Sequence, residues 1–300
     1  MIELRPLETD EDVEAYVDVR NRIHPDTPMT SEQVRDNPSE GRLDLLAYLD
    51  GIPVGAGSTA RHFDDASSPT AYASARVLRE HRRKGVGSAI LARISEHARA
   101  DGRDQLYVVV RLDDEDSRSY FGKRGFDEAL RMEEVVLDPA QSDAELPDVP
   151  GLELVPLDES LDRAVYDAAC EIEPDLSSAL GVAVLDYDRW HARNLTPLVD
   201  RACSFAALDG DVVVGYAILG HGGADGIGDH WMTGVRRAYR GRGLARALKV
   251  AQITAARGRG FTELRTTNAS DNLPMRRVNE RLGYRATLTW LHLRGPLLPA

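Results

Sequence analysis

The chain has 300 residues, 42% of them hydrophobic and 29% charged, proportions of an ordinary globular protein long enough for two domains. Its net charge of −12 excludes a general nucleic-acid binder, which needs a basic face. No apolar run reaches membrane-spanning length, MIELRPLETDED lacks a basic-then-apolar leader pattern, and Cys170 and Cys203 fit reduced thiols, so a cytoplasmic protein with no membrane partner is expected.

In chain order, IELRPL (Ile2–Leu7) predicts a strand that leads into an acidic helical stretch. LLAYLDGIPVGAGS follows, its alternation broken at Asp50-Gly51 as in a β-hairpin. The basic turn Arg82-Arg83-Lys84-Gly85-Val86-Gly87 opens a helix ending near Gly102. LYVVVRL (Leu106–Leu112) is a strand, a short helix closes on Gly125, and RMEEVVL (Arg131–Leu137) is the last strand of this half. Asp138 to Gly151 holds three prolines and no apolar period, so it reads as a linker.

The order then starts again. LELVPL (Leu152–Leu157) leads to a hairpin around Asp209-Gly210 and the turn Arg240-Gly241-Arg242-Gly243-Leu244-Ala245. A helix to Gly260, the strand ELRTTN (Glu263–Asn268), Gly283 and LTWLHLR (Leu288–Arg294) complete it. Arg82 and Arg240, Gly102 and Gly260, and Gly125 and Gly283 are each 158 residues apart, so the chain is a tandem duplication. The expected domains are 1–138 and 152–300, joined by 139–151. Each is α/β, in the α+β sense of a central mixed sheet flanked by helices.

Within YRGRGLARALK (Tyr239–Lys249) an acidic protein gathers four cations and two glycines where a helix begins. A helix start carries unpaired N–H groups and a partial positive charge, and glycine lets an anion approach the backbone. Both basic turns therefore read as phosphate cradles. Neither contains GxxxxGK[ST], nor GxGxxG with an acidic residue ending the next strand, which excludes a P-loop and a Rossmann turn.

The pattern Arg-x-x-Gly-x-Gly/Ala, five residues after Val77 or Val235, resembles the GNAT superfamily of N-acetyltransferases, in particular its tandem-domain, mycothiol-synthase-like members. That resemblance implies two GNAT-like domains with acetyl-CoA as co-substrate and no metal. It assigns the cofactor to Val235, Arg236, Arg237, Arg240, Gly241, Arg242, Gly243, Leu244, Ala245 and Asn272. In the N-terminal half it assigns it to Val77, Arg82, Arg83, Lys84, Gly85, Val86 and Gly87. A backbone N–H near Val235 would meet the thioester oxygen. Where many members carry a thiolate-protonating tyrosine stands Asn279, whose amide can donate a hydrogen bond but is no acid near neutral pH. The counterparts of Asn272 and Asn279 in the first half are Asp114 and Phe121, so that half reads as degenerate and the C-terminal half as catalytic.

Some members place a carboxylate base eleven residues before the turn, which selects Asp229 in the C-terminal half and Ala71 in the other. His230 is the reserve base, on the opposite face of a regular strand unless a bulge exchanges the two. The resulting expectation is acetyl transfer from acetyl-CoA to a primary amine of a small-molecule or peptide acceptor. The alternative is a non-catalytic acyl-CoA-binding module. A duplicated chain fits a monomer with an internal pseudo-dimer, or a homodimer.

His24, His191 and His221 have no partners at metal-ligand spacing. Glu171, Glu173 and Asp175 could hold an ammonium group or form a solvated helix surface. Trp190 and Trp231 could line a pocket or fill the core.

Overall fold

The computed structural model describes residues 1–25, 28–37, 39–61, 68–175 and 186–299. It forms two compact units, one of Met1–Ala129 with Leu291–Ala300 and one of Leu130–Trp290.

The first unit runs β1 (Ile2–Pro6), α1 (Asp10–Ile23), α2 (Ser31–Arg35), β2 (Leu43–Leu49), β3 (Ile52–Arg61), β4 (Thr70–Val77), α3 (Val86–Ala100), β5 (Gln105–Arg111) and α4 (Glu115–Gly122). Thr9 and Thr30 start α1 and α2 through capping boxes with Asp12 and Gln33, satisfying N–H groups that the helices cannot. β1 to β4 are antiparallel neighbours, whereas β4 and β5 are parallel. One side of the sheet buries Ile90, Leu91 and Ile94 of α3, and the other Val13, Tyr16 and Val19 of α1.

β6 (Asp127–Leu137) leads into the second unit, which continues with β7 (Glu153–Pro156), α5 (Asp162–Ile172), α6 (Tyr187–Asn194), β8 (Phe205–Asp209), β9 (Val212–His221), β10 (Ile227–Val235), α7 (Leu244–Gly258), β11 (Glu263–Ala269), α8 (Leu273–Arg281) and β12 (Arg285–Pro296). Its sheet follows the same plan, with β7, β8, β9 and β10 antiparallel and β11 parallel to β10. The expected mixed sheet flanked by helices is thus present in each unit.

The unit boundaries differ from the 1–138 and 152–300 division. From Leu130 onward β6 lies beside β11, with Leu137 opposite Leu264 and Met132 opposite Ala269. Val135 and Leu137 pack there with Ile253 and Leu264. The end of β12 belongs to the first unit, where Leu291, Leu293 and Leu298 join Ile94, Leu106 and Phe126. The closing strand of each repeat finds its apolar partners in the unit built from the other. Nor is 139–151 a loose connector. Arg257 donates from Nε to the Pro139 carbonyl at 2.7 Å, and Ala144 and Val149 pack on the second unit.

Candidate active site

The parallel strands part early in both units. β10 and β11 pair over Ile227–Glu263, Gly228–Leu264 and Asp229–Arg265, then continue to Val235 and Ala269 without pairing further among the described residues. β4 and β5 pair only over Thr70–Gln105, Ala71–Leu106 and Tyr72–Tyr107. β10 remains hydrogen-bonded to β9 as far as Val235–Gly215, so its opposite edge offers backbone groups to something other than a strand.

One difference separates these clefts. β4 runs beside β3 in unbroken register, whereas β10 bulges between His230 and Met232. The extra residue is Trp231, whose exposed ring occupies the space over Gly220, where a Cβ would lie 2.3 Å from the indole. The bulge resets which side chains share a face. His230 contacts Gln252 of α7 and Val235 packs on Leu244 and Leu248, so both point to α7. Met232 packs with Ile172 of α5, as a Cβ at Gly234 would. Alternation puts Asp229 on that α5 side, away from His230.

Asp229 is half-buried, and burial raises its carboxyl pKa against the opposing pull of the Arg265 charge. His230 is buried, with Nδ1 2.9 Å from Gln252 Oε1 and Nε2 2.6 Å from Tyr284 Oη. An Nδ1–H donor to Gln252 leaves Nε2 to accept from the tyrosine hydroxyl. Burial, then the Lys249 charge, hold the imidazole neutral and well below its usual pKa. With both ring nitrogens engaged, His230 is no open base, which removes the reserve candidate on geometric grounds.

At the turn, Arg240 donates from Nε to the Val235 carbonyl at 2.9 Å, pulling the chain back on itself after β10. Gly241 and Gly243 follow with φ of +77° and +81°, and Gly243 caps α7 without any side-chain hydrogen bond. A Cβ at either glycine would meet nothing within 4 Å. The first N–H groups of α7 thus have no side-chain cap and the glycines beside them leave room for a ligand, which suits a diphosphate. In the first unit Arg82 makes the corresponding bond to Val77 at 3.2 Å and Gly85 caps α3, but Arg83 must adopt φ +63° at the place of Gly241.

The loop cations are differently employed. Glu171 pairs with Arg236 at 2.8 Å and accepts from the Arg237 backbone, while Asp175 pairs with Arg237 and Arg240. Both carboxyls are held below their usual range by these contacts. Glu173 accepts from Trp190 Nε1 and Tyr216 Oη, so all three acidic residues brace the site instead of awaiting an ammonium. Trp190 is core, and Trp231 is the exposed bulge. Arg242, over the Tyr239 ring, has no carboxylate partner among the described residues. In the first unit the carboxylates come from the far side of the cleft: Asp114, the N-cap of α4, approaches Arg82 at 3.9 Å and Asp116 pairs with Arg83 at 3.2 Å.

Asn272 caps α8 through Oδ1, and Asn279 is buried with neither amide atom partnered. Lys249, the last of the four cations in YRGRGLARALK, is buried. Its Nζ is buried 5.0 Å from the Tyr284 ring centroid and has no hydrogen bond. Its position on α7 carries no sequence signal of this, because a lysine at a helical spacing reads as surface. The described residues contain no cluster of metal-ligating side chains.

The family model for the acetyltransferase (GNAT) family matches residues 6–126 and again 164–284, displaced by the 158 residues of the repeat. The chain belongs to the GNAT family. This GNAT chain resembles a GCN5-related N-acetyltransferase from Sphaerobacter thermophilus, with TM-score 0.79 and 18% identity over 100% of this chain and 96% of the other. It also resembles a tandem GNAT protein from the clavulanic acid biosynthesis pathway, with TM-score 0.78 and 22% identity over 100% of both chains. A third likeness is to the glucosamine N-acetyltransferase region of a fungal multi-domain β-N-acetylglucosaminidase, with TM-score 0.75 and 17% identity over 98% of this chain and 38% of that one. No curated protein matches the sequence.

Proposed function

We propose that the second unit transfers an acyl group, acetyl in the simplest case, from acetyl-CoA to a primary amine of a small-molecule or peptide acceptor. The observation that carries this reading is the bulged, splayed β10, whose last pair with β11 includes the half-buried Asp229, beside the uncapped N-terminus of α7. The N–H groups of Gly243 to Ala245, with Arg240, Gly241 and Arg242, hold the diphosphate. Backbone at Val235 pairs with the pantetheine arm and donates to the thioester oxygen. Arg236, Arg237 and Asn272 keep the strand end and α8 in place. Asp229, directly or through water, takes the amine proton as the C–N bond forms and the C–S bond breaks. The Asn279 amide donates to the departing thiolate, which takes its proton from solvent.

In the first unit Val77, Arg83, Lys84, Val86 and Gly87 repeat the loop, but Asp114 and Asp116 already face its arginines. That unit serves as a weak binding or supporting half of a cytoplasmic protein, whether monomeric or dimeric. Release of free thiol from acetyl-CoA over an amine panel tests the reading. Turnover that falls with Asp229→Asn supports it. A second reading, a non-catalytic acyl-CoA binder, draws on Asn279 and Phe121, neither of which supplies a phenol. Tight CoA binding with no thiol released on any amine would favour it.

A further inference from the structure

On the α7 side of the cleft apex, the second unit holds a polar group that the first replaces with hydrocarbon. His230, Lys249, Gln252, Asn279 and Tyr284 are all buried. At a spacing of 158, Lys249, Gln252, Asn279 and Tyr284 correspond to Leu91, Ile94, Phe121 and Phe126. The pairings with β3 and β9 set His230 in the place of Ala73, since Ala73 faces Thr59 and His230 faces Leu219, both five positions beyond Val54-Gly55 and Val214-Gly215 in chain sense. The first-unit set packs in one apolar core.

The hydrogen bonds of the second-unit group run in one direction. The Tyr284 hydroxyl donates to His230 Nε2, and His230 Nδ1–H donates to Gln252 Oε1. The chain then ends at Gln252 Nε2, a donor with no acceptor. Lys249 Nζ and Asn279 Nδ2 are further donors without partners, and Asn279 Oδ1 is the one idle acceptor in this set. No carboxylate appears among the groups acting on Lys249, whose amine burial lowers to about 7. With the Asn279 amide given to the thiolate, two orphaned donors remain without a role, Lys249 Nζ and Gln252 Nε2, and next to the residue pair where β10 leaves β11 they call for a ligand group made of acceptors.

We propose that this buried polar group receives a carboxylate carried at the far end of the acyl group, so that the preferred donor is a dicarboxylic acid monothioester of CoA instead of acetyl-CoA. The inference rests on the acyl-transfer reading above and narrows its donor. Lys249 Nζ and Gln252 Nε2 bind the carboxylate oxygens, and Tyr284 and His230 hold the Gln252 amide in the orientation that presents its NH2. The transfer is otherwise the same: the acyl C–S bond breaks, the C–N bond forms, and the distal carboxylate is unchanged.

The test compares acetyl-, malonyl- and succinyl-CoA in thiol release on a common amine panel and measures their affinities beside that of CoA by calorimetry. One carboxyacyl thioester should exceed acetyl-CoA in kcat/KM by at least about tenfold. Lys249→Met should erase that ratio, and Gln252→Glu, which keeps the acceptor for His230 but repels a carboxylate, should erase it independently if the methionine variant does not fold. Acetyl-CoA turned over as well as both others, or a ratio untouched by a folded variant, overturns the proposal. If no thioester is turned over, acyl transfer fails, while tighter binding of a carboxyacyl-CoA than of CoA, lost in the variants, still upholds the carboxylate site. Equal binding overturns it.

Discussion

The two clefts of this chain descend from one plan and differ in strand register and in the side chains beside α3 and α7. In the first unit, β4 is regular, the surroundings of α3 are Leu91, Ile94, Phe121 and Phe126, and a helix-capping Asp114 confronts the loop. In the second, β10 bulges, the matching surroundings are Lys249, Gln252, Asn279 and Tyr284, and Asn272 caps the helix without charge. Each unpartnered buried polar group costs about 1–3 kcal/mol. A site retained for stability alone would drift toward the first unit's composition, and on the acyl-transfer reading proposed above the polar version marks the working cleft.

The largest expected effect lies at Asp229. Asp229→Asn should lower kcat/KM by about 10²–10⁴-fold, the usual worth of a positioned general base. Because burial raises this carboxyl, the wild-type activity should fall as pH drops through a value above that of an ordinary aspartate, and the asparagine variant should lose that limb. A pH profile of thiol release checks both. An unchanged rate in the variant would erase the functional contrast with Tyr72, its counterpart in the first unit.

Lys249→Met sharpens the comparison through stability. The folded lysine titrates at about 7 and the unfolded one near its ordinary value of about 10.4, so between these pH values the unfolded chain binds more protons. Stability contributed by this group therefore rises with pH in that window, by up to about 1.4 kcal/mol per unit. Denaturant unfolding of the variant should be more stable at neutral pH, and the difference from wild type should shrink as pH increases. A pH-independent difference would mean that Lys249 stays charged when buried.

The smallest effect is at Arg83. A non-glycine residue at positive φ costs about 1–2 kcal/mol, partly offset by the extra freedom glycine gives the unfolded chain. Arg83→Gly, which copies Gly241, should stabilise the first unit by about 0.5 kcal/mol, read from its unfolding midpoint.

The duplication was legible because glycines with positive φ at Gly102, Gly260, Gly125 and Gly283 are backbone requirements that survive divergence. Asp50-Gly51 and Asp209-Gly210 marked their hairpins for the same reason. The strand exchange was not legible, since RMEEVVL and LTWLHLR would suit either sheet and pairing choice is not local. The bulge was foreseen only as a condition. Its extra residue shifts the register, so Asp229 stands where Tyr72 does, not Ala71, as the partners Arg265 and Tyr107 show. The buried group around His230 was invisible because its members lie on a strand, a helix and a turn far apart in sequence.

Calorimetry with coenzyme A on wild-type protein and on the Gly243→Val and Gly85→Val variants tests the central claim most directly. The account predicts one tight site per chain, abolished by the change at Gly243 and retained after the change at Gly85. Undiminished affinity in Gly243→Val, or equal loss in both variants, would contradict it.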